Sequence, residues 1–246
     1  RSGKQEIEVV ESPHFGRMLL LDGVVQVTER DEFFYHEMLV HVPMHAHGRA
    51  KRVLIIGGGD GGSLREVLRY PNVEHVALVE YDERVVEASR AFLPNLSVGF
   101  QDPRTQIFYE DGNEFLKSAG EPLDVVIVDS TDPVGPAEGL YSSSFFQRAS
   151  EALAHDGILV VQTESLHFHR EFVIEIQRRL REFFPIVDLY TQALATYAGN
   201  WWTFSIGSKL HDPRIVRQQT SVVTRYYSPE VHPWAFLPRS LYDKLM

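Results

Sequence analysis

Acidic side chains in this chain fall where strands would end. Asp60 follows the apolar run Val53–Ile56, Glu80 closes His75–Glu80, and Asp111-Gly112 follows Gln106–Glu110. Asp129 ends Leu123–Asp129 with Asp132 three residues on, and Gln162 and Glu164 stand at the end of Ile158–Gln162. Ligands of open α/β sheets bind outside the carboxyl ends of the strands. A single acid there is as readily a helix cap, since Asp is a favoured N-cap. Five acid-bearing strand ends in one crevice repel one another unless cations occupy it. The pattern points to a positively charged ligand.

The second chemical signal is Gly57-Gly58-Gly59-Asp60-Gly61-Gly62, placed between a strand and a helix. It satisfies G-x-G-x-x-G, and Glu80 follows Asp60 by twenty residues, where a carboxylate grips ribose hydroxyls. A nucleoside is therefore expected here. A dinucleotide would place its pyrophosphate at this helix start, and Asp60 would repel it. A sulfonium nucleoside of the S-adenosylmethionine type carries positive charge and no phosphate, so it suits an acid in the loop.

These residues need a sheet to position them. Gln5–Glu11, Arg17–Leu21 and Val24–Thr28 read as short strands, the last two joined by an Asp22-Gly23 hairpin turn. Asp31–His41 reads as a helix. Strands are then expected at Val53–Ile56, His75–Glu80, Gln106–Glu110, Leu123–Asp129 and Ile158–Gln162. Helices are expected at 63–70, after the Asp82 cap through Phe92, at Ser142–Ala152 and at Glu171–Phe184. Val187–Thr191 and Trp201–Ile206 form a final strand pair. The fold class is α/β, a mostly parallel sheet covered on both faces, preceded by a small antiparallel β-unit. The expected division is 1–49 for the β-unit with its linking helix and 50–246 for the catalytic domain.

The chain has 246 residues, a formal charge of −10 and no cysteine. The charge argues against nucleic acid, which needs clustered Lys and Arg. Disulfides and thiolate metal sites are excluded. No apolar run nears the ~20 residues of a membrane span, and no secretory signal pattern is present. A cytoplasmic protein with no membrane partner is the expectation, and the start at Arg1 rather than Met suggests a trimmed chain.

Certain stretches go further. Leu21-Asp22-Gly23, Glu29–Phe33, Tyr35-His36-Glu37-Met38, the Gly57–Gly62 loop with Asp60, and Asp129–Pro136 (D-S-T-D-P-V-G-P) together resemble the spermidine synthases, bacterial-type polyamine aminopropyltransferases. The resemblance runs over essentially the whole chain. It implies a methyltransferase-like Rossmann domain and a homodimer or homotetramer. The implied activity is transfer of the aminopropyl group of decarboxylated S-adenosylmethionine, a co-substrate, to putrescine. The products would be spermidine and 5′-methylthioadenosine, with no prosthetic group and no metal.

Carried over by residue, the resemblance implies nucleoside contacts from Gln5, Gln26, Glu80, Asp111, Gly112 and Pro136. Asp60 would hold the amine of the aminopropyl arm and reject an intact carboxylate. Asp129 would be the catalytic base, with Tyr35 and Tyr197 positioning the attacking nitrogen. His36, Asp132 and Gln162 would line the diamine channel with Asp60, Asp129 and Tyr197. The late stretch Tyr197–Phe204 (Y-A-G-N-W-W-T-F) lacks the Pro-Ser pair of many relatives, which keeps cadaverine, agmatine or spermidine open as acceptor. A methyltransferase relative and an inactive polyamine-binding protein are the remaining alternatives. The intact Asp129/Asp132 pair argues against the last. His41, His45 and His47 have no acid at metal-ligand spacing and are read as structural. Trp201 and Trp202 are read as packing.

Overall fold

The computed structural model describes residues 3–118, 120–133, 135–218 and 222–246, apart from the side chain of Pro136. Three strands open the chain: β1 (Ile7–Ser12), β2 (Gly16–Leu21) and β3 (Val24–Thr28), an antiparallel sheet in sequence order. The helix α1 (Glu32–His47) follows. Then come β4 (Arg52–Gly57), α2 (Gly62–Val67), β5 (His75–Val79), α3 (Glu83–Phe92), β6 (Thr105–Phe108), α4 (Gly112–Lys117) and β7 (Leu123–Asp129). The chain continues through α5 (Ser143–Ala152), β8 (Leu153–Ser165), α6 (Arg170–Leu180), β9 (Ile186–Ala193) and β10 (Trp201–Ser208). It ends in α7 (Val231–Ala235) and α8 (Arg239–Leu245).

The large sheet has seven strands in the order β6-β5-β4-β7-β8-β10-β9. β4 to β8 and β6 pair parallel, and β10 runs antiparallel to both β8 and β9. The apolar runs are continuous because both faces are buried. Val53, Ile55, Val125, Ile127, Ile158 and Val160 point into one core, shared with Met38 of α1 and Leu64 of α2. Leu54, Ile56, Val126, Val128, Leu159 and Val161 point into the other, shared with Phe145 and Phe146 of α5 and Ile176 of α6. A third cluster joins Leu19, Leu21 and Val27 of the small sheet to Val85 and Leu93 around α3. That cluster seats the hairpin beside the carboxyl end of the large sheet.

From β4 the chain winds to β5 and β6 on one side, then returns to β7 and β8 on the other. The reversal leaves a crevice at the ends of β4 and β7, the usual ligand position in such sheets. Gly57 ends β4 in register with Asp129, and the Gly58 N–H donates to the Asp129 carbonyl at 2.8 Å. Gly57 has φ +81°, and a Cβ there would lie 2.1 Å from that carbonyl oxygen. Gly57→Ala combines left-handed strain with a backbone collision. Its expected cost is about 2–5 kcal/mol, a fall in Tm of roughly 5–15 °C for a chain this size, readable by calorimetry.

The structure departs from the sequence reading in several elements. α1 runs through Pro43 to His47 instead of stopping near His41. All residues from Tyr35 to His47 are buried, so packing overrides the proline. It ends at Gly48, φ +83°, whose N–H bonds the Met44 carbonyl. α1, grouped by sequence with the β-unit, packs in the same core as β4 and β7. β8 is far longer than Ile158–Gln162, and α7 and α8 have no counterpart in the sequence reading. Among the described residues no helix is long and apolar enough to cross a membrane.

Candidate active site

A cavity of about 410 Å³ opens over the ends of β4 and β7. The small sheet and β3 give it Gln5, Leu19, Leu21 and Gln26; the large sheet gives it Gly57–Asp60, Glu80, Asp111, Gly112, Asp129 and Asp132. Tyr35, Gln162, Glu164 and Tyr197 complete the acidic half. Most of the residues expected from sequence therefore share one wall. The Pro136 side chain lies outside the described residues.

Asp129 is the most tightly held carboxylate. Tyr35 donates its hydroxyl to Oδ1 at 2.8 Å, and Ser63 donates to Oδ2 at 2.6 Å. Burial pushes its pKa up; the His36 ring pulls it down, and nearby Asp60 adds to the rise. The result is a carboxylate more basic than usual, as a proton acceptor requires. Tyr35 is held well above the ordinary phenol range by burial and by Asp129, so it stays a donor.

Asp60 turns inward. Its Oδ1 accepts the Gly62 N–H at 2.7 Å and faces His36 Nε2 at 3.4 Å. His36 Nδ1 meets Glu32 Oε2 at 2.7 Å, and Arg65 Nη2 reaches the same oxygen at 2.8 Å. Burial opposes charge on His36, but Asp60 and Glu32 on either side outweigh it and push the ring well above its usual range. Burial likewise opposes the Glu32 anion, yet His36 and Arg65 hold it down to about 2. His36 and Arg65 thus compensate the two acids in a buried row. The ring sits beneath Gly62, where a Cβ would approach His36 to 2.2 Å. His36, expected on the diamine channel, is therefore not on the cavity wall. It is 2% exposed and lies behind Asp60, because the glycine makes room for it there.

Glu80 lines the cavity at the end of β5. Its Oε1 accepts the Asp82 N–H at 2.9 Å, while burial lifts the group to about 7. Ribose hydroxyls are best accepted by the ionised form. Affinity for 5′-methylthioadenosine is expected to be flat above about pH 8 and to fall as Glu80 protonates below about 7. Glu80→Gln is expected to cost about 10- to 100-fold in that affinity, the worth of a charged hydrogen bond, and to flatten the pH dependence. Calorimetric titration at several pH values reads both. The nucleoside carries no aliphatic ammonium, which keeps Asp60 and Asp129 out of the measurement.

Asp111 lines the cavity but also caps α4, accepting Asn113 N–H at 2.7 Å and Glu114 N–H at 3.3 Å on Oδ1. Gly112 has no room for a Cβ, which would meet Ile56 at 2.4 Å. Gln26 offers its carbonyl to the Tyr197 hydroxyl, which ties β3 to the segment before β10. Gln162 spends its amide on the protein: Nε2 donates to Ser130 O at 3.0 Å and Tyr141 OH at 2.8 Å. It braces the Asp129–Asp132 turn as much as it lines the channel. Tyr35 and Tyr197 meet edge-on, ring centroids 5.8 Å apart, and Trp202 packs on Tyr197 at 4.5 Å while reaching the cavity.

One residue joins the site unannounced, and one strand-end acid gains its partner only in the structure. Ser63, the first residue after the glycine loop, gives no sequence signal; only the fold brings it to Asp129. Glu164 stands at a strand end but acquires meaning only beside Asp132. Burial and the hydrogen-bonded Asp132 raise it to about 8, and its φ of +66° departs from its strand. His169 Nδ1 lies 3.2 Å from Glu164 Oε2 at the rim. Glu164, so raised, can release its proton when an ammonium arrives beside it.

Comparison with known proteins agrees with this geometry. Residues 32–218 match the spermine/spermidine synthase domain, and residues 1–29 match the spermidine synthase tetramerisation domain. The chain belongs to the spermine/spermidine synthase family. It is an aminopropyltransferase of that family's bacterial type. It is 54% identical over its full length to polyamine aminopropyltransferase 1 of Aquifex aeolicus, covering 88% of that protein. It is 52% identical, again over its full length, to the Hydrogenobaculum polyamine aminopropyltransferase and covers 88% of it. A crystal structure of spermidine synthase with the transition-state analogue AdoDATO superposes with TM-score 0.90 at 39% identity, covering 98% of this chain and 85% of that one. The Thermotoga maritima spermidine synthase superposes at 0.88 with 38% identity, covering all of this chain and 85% of the other.

Proposed function

We propose that the enzyme transfers the aminopropyl group of decarboxylated S-adenosylmethionine to putrescine, giving spermidine and 5′-methylthioadenosine. The observation that carries this reading is one cavity with Glu80 at one end, the Asp129–Asp60 pair in the middle and the Asp132–Glu164 pair at the other. Those three positions suit a ribose, a sulfonium arm bearing an amine, and the far ammonium of a diamine.

In this reading Gln5, Gln26, Glu80, Asp111, Gly112 and Pro136 hold the nucleoside. Asp60, kept anionic by His36 and by the Gly62 N–H, takes the aminium of the arm. The acceptor is a primary amine with an ordinary pKa near ~10, so it arrives protonated. Asp129 takes a proton from the nitrogen, and the hydroxyl oxygens of Tyr35 and Tyr197 direct its lone pair. The nitrogen–carbon bond then forms as the carbon–sulfur bond breaks. The bonding pair leaves on sulfur as a neutral thioether, and no oxyanion needs stabilising. Glu164 ionises beside Asp132 around the distal ammonium, and the pair sets the length of diamine that reaches the carbon.

Steady-state rates across a diamine series test the acceptor. Putrescine is expected to give the highest kcat/KM, with cadaverine, agmatine and spermidine below it. A clear preference for one of those would replace putrescine in this reading. The match of residues 1–29 to a tetramerisation domain supports a homo-oligomer. Sedimentation velocity separates the homodimer and homotetramer we infer, and a cytoplasmic setting belongs to the same proposal.

A further inference from the structure

At the other end of the sheet, His47 closes α1, Asp124 opens β7, Asp156 lies early in β8 and His211 follows β10. Asp124 stands five residues before Asp129, so roughly 16 Å of strand separates the two ends. His47 Nε2 lies 3.9 Å from Asp124 Oδ1 and 3.8 Å from Asp156 Oδ1. His211 Nε2 lies 3.6 Å from Asp156 Oδ2. The two imidazoles meet edge-on with centroids 5.7 Å apart.

Both histidines are buried, His47 at 2% and His211 at 6% exposure. Both Nε2 atoms lack a hydrogen-bond partner among the described residues. Orphaned polar atoms at this depth are rare and call for a ligand. The carboxylates have their own partners. Asp124 Oδ2 accepts the Lys51 and Arg52 N–H groups at 2.6 and 2.9 Å, and Asp156 Oδ2 accepts Arg49 Nη2 at 2.8 Å. Exposed His155 also lies near Asp156, Nδ1 to Oδ1 at 3.7 Å. Oδ1 of each aspartate therefore faces His47.

The spacing discriminates between a bridging water and a metal ion. Four groups around a water, each on an arm of about 2.8 Å, stand roughly 4.6 Å apart. Four ligands around a tetrahedral zinc, on arms of about 2.0–2.1 Å, stand roughly 3.3–3.4 Å apart. The His47 separations of 3.8 and 3.9 Å from Asp156 Oδ1 and Asp124 Oδ1 are nearer the second. We propose that His47, Asp124 and Asp156, whose ligand atoms converge within 4.8 Å, form a structural site for a divalent transition-metal ion of the zinc class, with His211 beside Asp156 as its neighbour. An imidazole with two carboxylates, and a second imidazole beside them, suits zinc, cobalt or nickel better than magnesium or calcium, which take all-oxygen shells. Ligation through His47 Nε2 leaves the proton on Nδ1, which gives up only the long Arg49 N–H contact at 3.4 Å. The ion would pin the end of α1 and the turn after β10 to the start of β7 and β8.

Chelator-stripped protein, titrated with zinc against a chromophoric competitor, tests this. About one equivalent per chain is expected, with a matching rise in Tm. Cobalt should show the visible absorption of a four-coordinate ion. His211→Asn and Asp156→Asn should each weaken binding by about tenfold or more while His211→Asn leaves aminopropyl transfer unchanged. Asp60→Asn should leave metal binding intact, which separates this site from the His36, Asp60 and Asp129 cluster. Failure of the wild-type protein to bind zinc or cobalt would overturn the proposal. So would an equivalent that survives both His211→Asn and Asp156→Asn, or one that is lost in Asp60→Asn.

Discussion

Asp129→Asn is expected to lower kcat by about two to four orders of magnitude, the reach of general base catalysis. The amide is nearly isosteric with the carboxylate. Tyr35 and Ser63, which donate at 2.8 and 2.6 Å, can rotate their hydroxyls to meet it. The fold and the nucleoside end should therefore survive, with Tm and 5′-methylthioadenosine affinity near wild type. What the amide cannot do is accept a proton from the attacking nitrogen. Protonation of Asp129 is expected to shape an acidic limb of the kcat–pH profile, and that limb should vanish in the variant. Near-wild-type turnover would remove Asp129 from the base role.

Asp60→Asn is expected to act on a different quantity. Removing one partner of a buried charge pair costs about 2–5 kcal/mol, a loss of roughly 30- to 5,000-fold in kcat/KM for the decarboxylated nucleoside. Two effects add. The aminium of the arm loses its counter-charge, and the His36 ring loses one of its two ion-pair partners. The same change should relax discrimination against intact S-adenosylmethionine, whose carboxylate Asp60 repels. Parallel inhibition constants for the two nucleosides read that ratio. A loss confined to kcat, with the ratio unchanged, would show that Asp60 only shapes the loop.

Much of this site was legible in the sequence because it lies on short-range patterns. The strand-end rule placed Asp60, Glu80, Asp111 and Asp129 on one crevice before any coordinates, and the glycine loop announced a close approach. The structure adds what approaches: the Asp129 backbone at Gly57, and the His36 ring at Gly62 as well as any ligand. His36, expected on the channel, packs against Asp60, and a histidine beside Tyr35 carries no mark of which side of Asp60 it will occupy. Ser63 and Arg65 were silent for the same reason. Their partners Asp129 and Glu32 lie 66 and 33 residues away, and only the sheet order brings them together.

The fold shows the same division. Continuous apolar strands and the Asp82 cap, which accepts the Arg84 N–H, follow local rules and were readable. The second half of α1 was not, because Pro43 is tolerated only by the core that surrounds it. His47 read as an ordinary histidine for want of a nearby acid. Its acids arrive from Asp124 and Asp156, on strands far along the chain.

The most direct test is the identity of the products. The protein, incubated with decarboxylated S-adenosylmethionine and putrescine, should yield spermidine and 5′-methylthioadenosine in equal amounts by mass spectrometry. The Asp129→Asn variant should yield traces of both. Methyl transfer from intact S-adenosylmethionine, or no aminopropyl product with any amine supplied, would contradict the account.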